Sequence, residues 1–463
     1  MLDHYEPLDP TRVAELTERE NERLNQSTLS SKAMYERARE SLCNGVGSAY
    51  QWRDPWPIYL TKGRGSRIWD VDGNEYIDYL NGFGAMVQGH AHPAIVKAVT
   101  ERIVDGSHFC EPTEEGVMVA EELARRFGLA KWRFTNSGSE ATMDAIRIAR
   151  GHTGRDTVIK VLGSYHGHHD YVMVSIYVPH GEIGEIGPRD AYKSISYGAG
   201  IPQSSVDMTV PVPFNDAAAL ERRIEALVAE GRPPACLIME AAMMNLGVIL
   251  PEPGYLEAVR EITRKHGIVL IFDEVKTGLT VAPGGATEHF GVKPDMITLA
   301  KALGGGLPSG AIGGTNEVMA VVERGDVWQV GTFNGNPLVM AAAKATLLDV
   351  LTPEAYRHIA EVRDTIVNGC QAVIDEFALP AYPVSLGAKG CVTFATSKVV
   401  DYESYVSHQD GDMMDLAWSY MANRGVFAAP GRDQDYTISV QHSVDDARAY
   451  VGAFREMAAE VRA

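Results

Sequence analysis

Lys301 and Asp273 have residue types and a spacing that suit joint chemistry. Asp273 ends the apolar run 268–272, and Lys301 follows a second apolar run, 296–300, just before a cluster of glycines. If the two runs are strands of one open α/β sheet, both side chains lie at its carboxyl edge, where such sheets bind cofactors. An amine that forms a Schiff base and an anion that keeps a pyridine nitrogen protonated are what pyridoxal phosphate requires. Either residue alone is ordinary, because most lysines are solvated surface charges.

The segment 135–140, Thr-Asn-Ser-Gly-Ser-Glu, has the composition of a helix N-terminus. Backbone N–H groups, hydroxyl donors and the positive end of the helix dipole together bind a phosphate. The segment also fits an ordinary N-cap with a glutamate in the first turn, and by itself it favours the cap. Tyr165 follows the next apolar run, 158–162, and offers an aromatic ring that could lie over a planar cofactor.

Histidines cluster at 163–170 and at 89–92, which invites a metal interpretation. Neither cluster has the ligand spacing of a structural zinc site, and no cysteine lies nearby. We therefore predict no metal site.

Composition limits the class of protein. The chain has 463 residues, 45% of them hydrophobic, which is ordinary for a globular enzyme with more than one domain. A net charge of -19 argues against a nucleic-acid partner. The N-terminus lacks the pattern of a signal peptide, and no apolar stretch reaches the length of a membrane span. The 5 cysteines form no C-x-x-C pair, as expected for reduced thiols in a cytoplasmic protein.

The elements that must position these residues alternate between helix and strand from about 90 to 340. Apolar runs at 158–162, 235–239, 268–272 and 296–299 are typical of strands buried on both faces of a mostly parallel sheet. Short strands, one pair forming a hairpin with its turn at 72–73, precede this region, and a long helix, short strands and a closing helix follow it. We predict a large α/β domain inserted between the two halves of a smaller α+β domain.

Motifs spread along most of the chain form an ordered set, at 69–78, 89–93, 136–143, 165–167, 272–275, 290–295, 301–308 and 331–337. In this combination the chain resembles the class III aminotransferases of the fold-type I pyridoxal phosphate enzymes, and within them most closely the glutamate-1-semialdehyde 2,1-aminomutases. The resemblance implies an α/β fold with a mostly parallel seven-stranded sheet in the large domain. We place the N-terminal part of the small domain at 1–80, the cofactor-binding domain at 81–345 and the C-terminal part of the small domain at 346–463.

The resemblance also implies roles for residues around the cofactor ring. Lys301 would hold pyridoxal 5'-phosphate covalently and later move the substrate proton, and Asp273 would contact the ring nitrogen. Val275 would lie against one face of the ring and Tyr165 against the other. Asn245 would bond the ring oxygen.

The remaining roles concern the phosphate and the loops around it. The predicted phosphate ligands are Ser137, Gly138 and Ser139. Thr332 resembles the residue that reaches the cofactor phosphate of a neighbouring subunit, which implies a homodimer with shared active sites. Glu240 belongs to the same loop motif as Asn245, but it is followed by Ala241 where the family usually has proline.

The substrate side departs from the aminomutase pattern. Gln51 stands where the mutases have an arginine for the substrate carboxylate, with Arg53 two residues further on. Near the C-terminus, Gln434 replaces a glutamate and Arg432 is gained. The loop 177–200 is longer than its counterpart. These four side chains are our predicted substrate-binding residues, and they indicate retained chemistry with a changed substrate.

The sequence therefore predicts an aminotransferase that moves an amino group from an amino acid donor to a carboxylated or polyhydroxylated carbonyl acceptor by a ping-pong mechanism. The alternative is a true glutamate-1-semialdehyde 2,1-aminomutase. A nicotinamide dehydrogenase is disfavoured because no G-x-G-x-x-G occurs, and a P-loop enzyme because no Gly-Lys dipeptide occurs. A non-catalytic protein with this fold stays open, although Lys301 argues against it.

Overall fold

The structure is a computed structural model that describes residues 5–178, 180–431 and 435–463. The chain starts with two helices and an antiparallel ladder of three strands: α1 (Pro10–Ser27), α2 (Leu29–Ala38), β1 (Leu60–Arg64), β2 (Arg67–Asp70) and β3 (Glu75–Asp78). Asp9 caps α1 by accepting a hydrogen bond from the backbone N–H of Thr11. β2 and β3 form the hairpin that the sequence predicts.

The central part alternates helices with strands. Its elements are α3 (Asn81–Gly84), α4 (Pro93–Val104), α5 (Glu114–Phe127), β4 (Lys131–Thr135), α6 (Gly138–Thr153), β5 (Thr157–Val161), α7 (Gln203–Asp207), β6 (Thr209–Val212), α8 (Ala217–Ala229), β7 (Pro234–Met239), α9 (Tyr255–His266), β8 (Val269–Asp273), α10 (Gly285–Phe290), β9 (Met296–Ala300), β10 (Gly310–Gly314), α11 (Asn316–Glu323) and α12 (Pro337–Ala345).

Seven strands form one central sheet in the order β4-β10-β9-β8-β7-β5-β6. Only β10 runs antiparallel to its neighbours, so the predicted mostly parallel seven-stranded sheet is confirmed. Adjacent strand residues point to opposite faces, and both faces are covered. Ile238 and Ile271 pack with residues of α6 and α11, whereas Leu237 and Leu270 pack with residues of α8 and α9.

The C-terminal part contains α13 (Pro353–Phe377), β11 (Ala381–Leu386), β12 (Lys389–Phe394), α14 (Tyr402–His408), α15 (Gly411–Ala422), β13 (Val426–Phe427), β14 (Tyr436–Thr437) and α16 (Val444–Arg462). β11, β12 and β14 form a small sheet. β13 instead joins the N-terminal ladder, where Val426 pairs with Ile77 of β3 in parallel. The two ends of the chain therefore share one sheet, and the domain boundaries given in the sequence analysis stay a prediction.

None of the helices in the described part of the chain combines the length and apolar character that a bilayer span requires.

Candidate active site

A cavity of about 460 Å³ lies at the carboxyl edge of the central sheet. Nine of the ten residues predicted to bind the cofactor line it: Ser137, Gly138, Ser139, Tyr165, Glu240, Asn245, Asp273, Val275 and Lys301. They come from the ends of β7, β8 and β9, from the loop after β5 and from the start of α6. The topology of the sheet thus brings together residues that are far apart in the sequence.

Asp273 is buried and already has three hydrogen-bond donors. Its Oδ1 accepts from Thr298 Oγ1 at 3.1 Å and from the backbone N–H of Val275 at 3.0 Å. Its Oδ2 lies 2.7 Å from Nδ1 of the buried His166. The sequence analysis did not identify His166 and Thr298 as site residues. The motif at 165–167 contained His166, but nothing in the sequence indicated which side chain it would contact.

Lys301 follows directly on the last residue of β9. In the parallel pair β8–β9, Thr298 lies opposite Asp273, so Lys301 emerges at the same edge as the carboxylate. The backbone of Lys301 has a φ of 45°, in the left-handed region that residues other than glycine rarely adopt. Such strain persists where the surroundings impose it, and it is concentrated at functional sites.

The segment 135–140 forms the N-cap and first turn of α6, and its role in phosphate binding stays a prediction. Ser137 is the N-cap, and its Oγ accepts a hydrogen bond from Glu140 N at 3.1 Å. Gly138 and Ser139 are the first two helical residues, whose N–H groups have no acceptor within the helix. Both line the cavity. A Cβ on Gly138 would lie 2.9 Å from a methyl carbon of Val275, so the glycine lets the helix start approach that side chain.

Glu240 connects two walls of the cavity. Its carboxylate accepts from Asn245 Nδ2 at 3.0 Å, from Met244 N at 2.8 Å and from Tyr165 N at 3.3 Å. The loop after β7 is therefore fastened through Glu240 even though Ala241 replaces the usual proline. Glu240 interacts electrostatically with the fully buried Lys160, whose Nζ donates hydrogen bonds to two backbone carbonyls. Burial lowers the pKa of Lys160 to about 7, against the raising effect of Glu240.

These residues fit pyridoxal phosphate. The helix start offers N–H donors for a phosphate, Tyr165 and Val275 offer surfaces for a ring, and Asp273 is an oriented carboxylate for a pyridine nitrogen. When bound, the cofactor supplies an electrophilic carbon and an electron-accepting ring.

Thr332, the tenth predicted cofactor residue, does not line this cavity. It is exposed and borders a second cavity of about 600 Å³ together with Trp132 and Phe134. The two regions are linked, because Asn136 Nδ2 in the cofactor cavity donates to Asn334 Oδ1 at 2.9 Å.

The predicted substrate residues are placed differently from one another. Gln51 is exposed and lines neither the cofactor cavity nor the outer cavity described next. Its Oε1 accepts hydrogen bonds from Gly47 N and Ser48 N at 3.0 and 3.2 Å. Arg53 lines that outer cavity, of about 900 Å³. Arg432 and Gln434 lie outside the described residues.

The outer cavity adjoins the cofactor cavity, and both are lined by Tyr50, Phe83, Tyr165 and Asn245. The predicted long loop 177–200 contributes Tyr177 and Tyr197 to its wall. Arg189 anchors this loop to the C-terminal part by ion pairs with Asp401 and Glu403.

The sheet, the lysine and aspartate at its edge and the adjoining helix start define a fold-type I pyridoxal phosphate enzyme. The chain belongs to the aminotransferase class-III family, whose sequence profile matches residues 49–377.

Individual relatives carry two kinds of name. The chain is 38% identical over 420 residues to a glutamate-1-semialdehyde 2,1-aminomutase of Methanobrevibacter smithii, covering 90% of this chain and 95% of the relative. It superposes on an omega-transaminase from Sphaerobacter thermophilus with a TM-score of 0.87 and 33% identity, covering 94% and 98% of the two chains. A glutamate-1-semialdehyde-aminomutase variant from Pseudomonas aeruginosa PAO1, in complex with PMP, gives a TM-score of 0.88 and 29% identity, covering 98% and 99%.

Proposed function

We propose that this enzyme moves an amino group within glutamate-1-semialdehyde, the reaction named in the aminomutases to which it is similar. The observation that carries the proposal is the 38% identity to a mutase over 90% of this chain and 95% of that relative. The comparisons support this alternative better than the transfer between separate donor and acceptor that the sequence favours.

Each residue around the cavity would have its own role in binding the cofactor or in catalysis. Lys301 holds the cofactor and then moves a proton at the substrate carbon that carries the amino group. Asp273, held by His166 and Thr298, keeps the ring nitrogen protonated. Asn245, oriented by Glu240, bonds the ring oxygen.

Transfer from an external amino acid to a separate carbonyl compound is the second candidate. It is favoured by Gln51, a neutral amide at the position of the mutase arginine, which is occupied in capping its own turn. It is also favoured by the outer cavity of about 900 Å³, which has room for a substrate larger than a five-carbon amino acid.

One experiment separates the two candidates. The purified holoenzyme is given glutamate-1-semialdehyde alone, and 5-aminolevulinate is measured with and without added ¹⁵N-labelled amino acids. A mutase forms product without a donor and without incorporating ¹⁵N. External transfer would instead convert the aldehyde to 4,5-diaminopentanoate, and formation of this diamine with the donor's label and without 5-aminolevulinate would contradict the mutase.

We further propose a homodimer in which each subunit completes the other's site. Thr332 lies outside its own subunit's cofactor cavity, in a segment whose apolar side chains are exposed. The exposed fractions are 75% for Trp328, 71% for Val330 and 57% for Phe333. Exposed apolar side chains at this density are typical of a surface covered by another chain. Sedimentation equilibrium should give twice the monomer mass.

A further inference from the structure

Arg53 is a half-buried cation that has no ion-pair partner among the described residues. Within the described part of the chain its guanidinium donates no hydrogen bond and forms no ion pair. Burial lowers the pKa of Arg53 to about 10, which leaves it charged at neutral pH. A partly desolvated charge with no ion-pair partner is unfavourable, and binding an anion would offset that cost.

The guanidinium of Arg53 is held in place by stacking on the Trp418 ring. Its guanidinium carbon lies 3.8 Å from the ring centroid of Trp418, close enough for a cation–π contact. Trp418 is itself buried, and its Nε1 donates to the carbonyl of Ala428 at 3.1 Å. A guanidinium stacked on a ring keeps its planar N–H edges available for the two oxygens of a carboxylate.

The cavity that Arg53 lines is continuous with the cavity that Lys301 lines, because the two cavities share residues. The ring of Tyr50 lies 5.9 Å from the rings of both Phe83 and Tyr165, and all three line both cavities. A molecule whose reacting carbon lies beside Lys301 can therefore extend past these rings into the outer cavity, where Arg53 lies.

Two carboxylates also line the outer cavity, and one of them, Asp54, raises the pKa of Arg53 against the larger effect of burial. Asp54 and Asp415 are both exposed, and neither forms an ion pair with the guanidinium. Asp415 has other interactions of its own.

We propose that Arg53 binds the carboxylate of the substrate in the outer cavity and so determines specificity for carboxylated substrates. This inference rests on the proposed amino-group transfer. It holds for either candidate when the substrate carries a carboxylate away from the reacting carbon, as glutamate-1-semialdehyde does. In this proposal Arg53 binds the substrate carboxylate in place of Gln51, whose side-chain amide is hydrogen-bonded within its own turn.

The test compares Arg53→Leu with the wild-type holoenzyme. Loss of a charge-assisted pair should raise the KM for glutamate-1-semialdehyde about 10- to 100-fold and change kcat far less. For external transfer, the matched donors are 3-amino-3-phenylpropanoate and 1-phenylethylamine, which differ by one carboxylate. Only the carboxylated donor should lose affinity.

A binding measurement supplies a second readout that does not depend on turnover. Titration calorimetry with glutarate, an unreactive dicarboxylate, should show binding to the wild-type holoenzyme at least about tenfold tighter than to Arg53→Leu. Arg53→Lys, which keeps the charge but not the planar edge, should recover part of the loss.

The matched control is Arg150→Leu, because Arg150 also lies on an aromatic ring, 3.9 Å from the centroid of Tyr171, but lines neither cavity. It should leave the KM and the glutarate affinity unchanged. Equal glutarate affinity in wild type and Arg53→Leu, or equal losses for both matched donors, would overturn the role of Arg53. Failure of the proposed function would instead be visible in the wild-type enzyme, as absence of turnover with every substrate.

Discussion

At the scale of the residue, Asp273 is oriented before any cofactor binds. Thr298, Val275 and His166 donate to its two oxygens. A carboxylate in this arrangement cannot rotate freely, so it presents a fixed anion to a ring nitrogen. His166 and Thr298 act through Asp273 and are therefore positioning residues.

We predict that Asp273→Asn keeps the fold but lowers kcat by several orders of magnitude, because a neutral amide no longer holds a proton on the ring nitrogen. Steady-state rates and circular dichroism check both parts. Thr298→Val removes one donor to the carboxylate and should cause a much smaller loss. Near-normal turnover of Asp273→Asn would show that another group protonates the ring.

Lys301 should be the covalent attachment site of the cofactor. After borohydride reduction and proteolysis, mass spectrometry should find the pyridoxyl label on the peptide that contains Lys301. Lys301→Ala should still bind the cofactor through the helix start but should turn over negligibly. Lys276, which also lines the cavity, is the internal comparison, and a label on its peptide would contradict the assignment.

At the scale of the element, a buried group of charges connects the small C-terminal sheet to the cofactor cavity. Lys389 of β12 donates to Asp435 Oδ2 at 2.8 Å, and Nζ of Lys276 lies 3.5 Å from Oδ1 of the same carboxylate. All three side chains are buried. Asp435, directly before β14, is thus tied by charge to Lys276 in the wall of the cofactor cavity.

We predict that Lys389→Met destabilises the protein by about 3 kcal/mol, because Asp435 loses its shorter ion pair in a buried position. For a chain of this size that corresponds to a fall of about 3 °C in Tm. The control is Lys398→Met, which removes the exposed pair with Glu252 and should cost less than about 1 kcal/mol. Equal shifts in thermal denaturation for both variants would show that burial does not strengthen the pair.

At the scale of the whole molecule, the site is built from all three parts of the chain. The N-terminal part supplies Tyr50 and Arg53, the central sheet supplies the cofactor residues, and the C-terminal part supplies Trp418. The pairing of β13 with β3 joins the two ends of the chain.

Thr332 should act across the dimer interface. Mixing Lys301→Ala with Thr332→Ala subunits should produce heterodimers in which one site carries both changes and the other carries neither. Activity above that of either parent, measured after subunit exchange, is the expected result. Proven exchange without any recovery would mean that Thr332 serves its own subunit.

The sequence alone was sufficient for the family and the sheet, and nine of its ten predicted cofactor residues line one cavity. The continuous apolar runs around Ile271 and Ile297 required strands covered on both faces, and local signals marked the helix start at Ser137. Lys301 and Asp273 could be paired because parallel strands place their carboxyl ends at one edge.

The surroundings of these residues could not be predicted, because they depend on contacts between distant parts of the chain. His166 contacts Asp273, although the two residues are 107 positions apart in the chain. Nothing near Arg53 indicated that it would lie on Trp418, and nothing near Gln51 showed that its amide would cap its own turn. Hydrophobic periodicity and capping act over a few residues, whereas these contacts depend on how separate elements pack, and packing is a property of the folded chain.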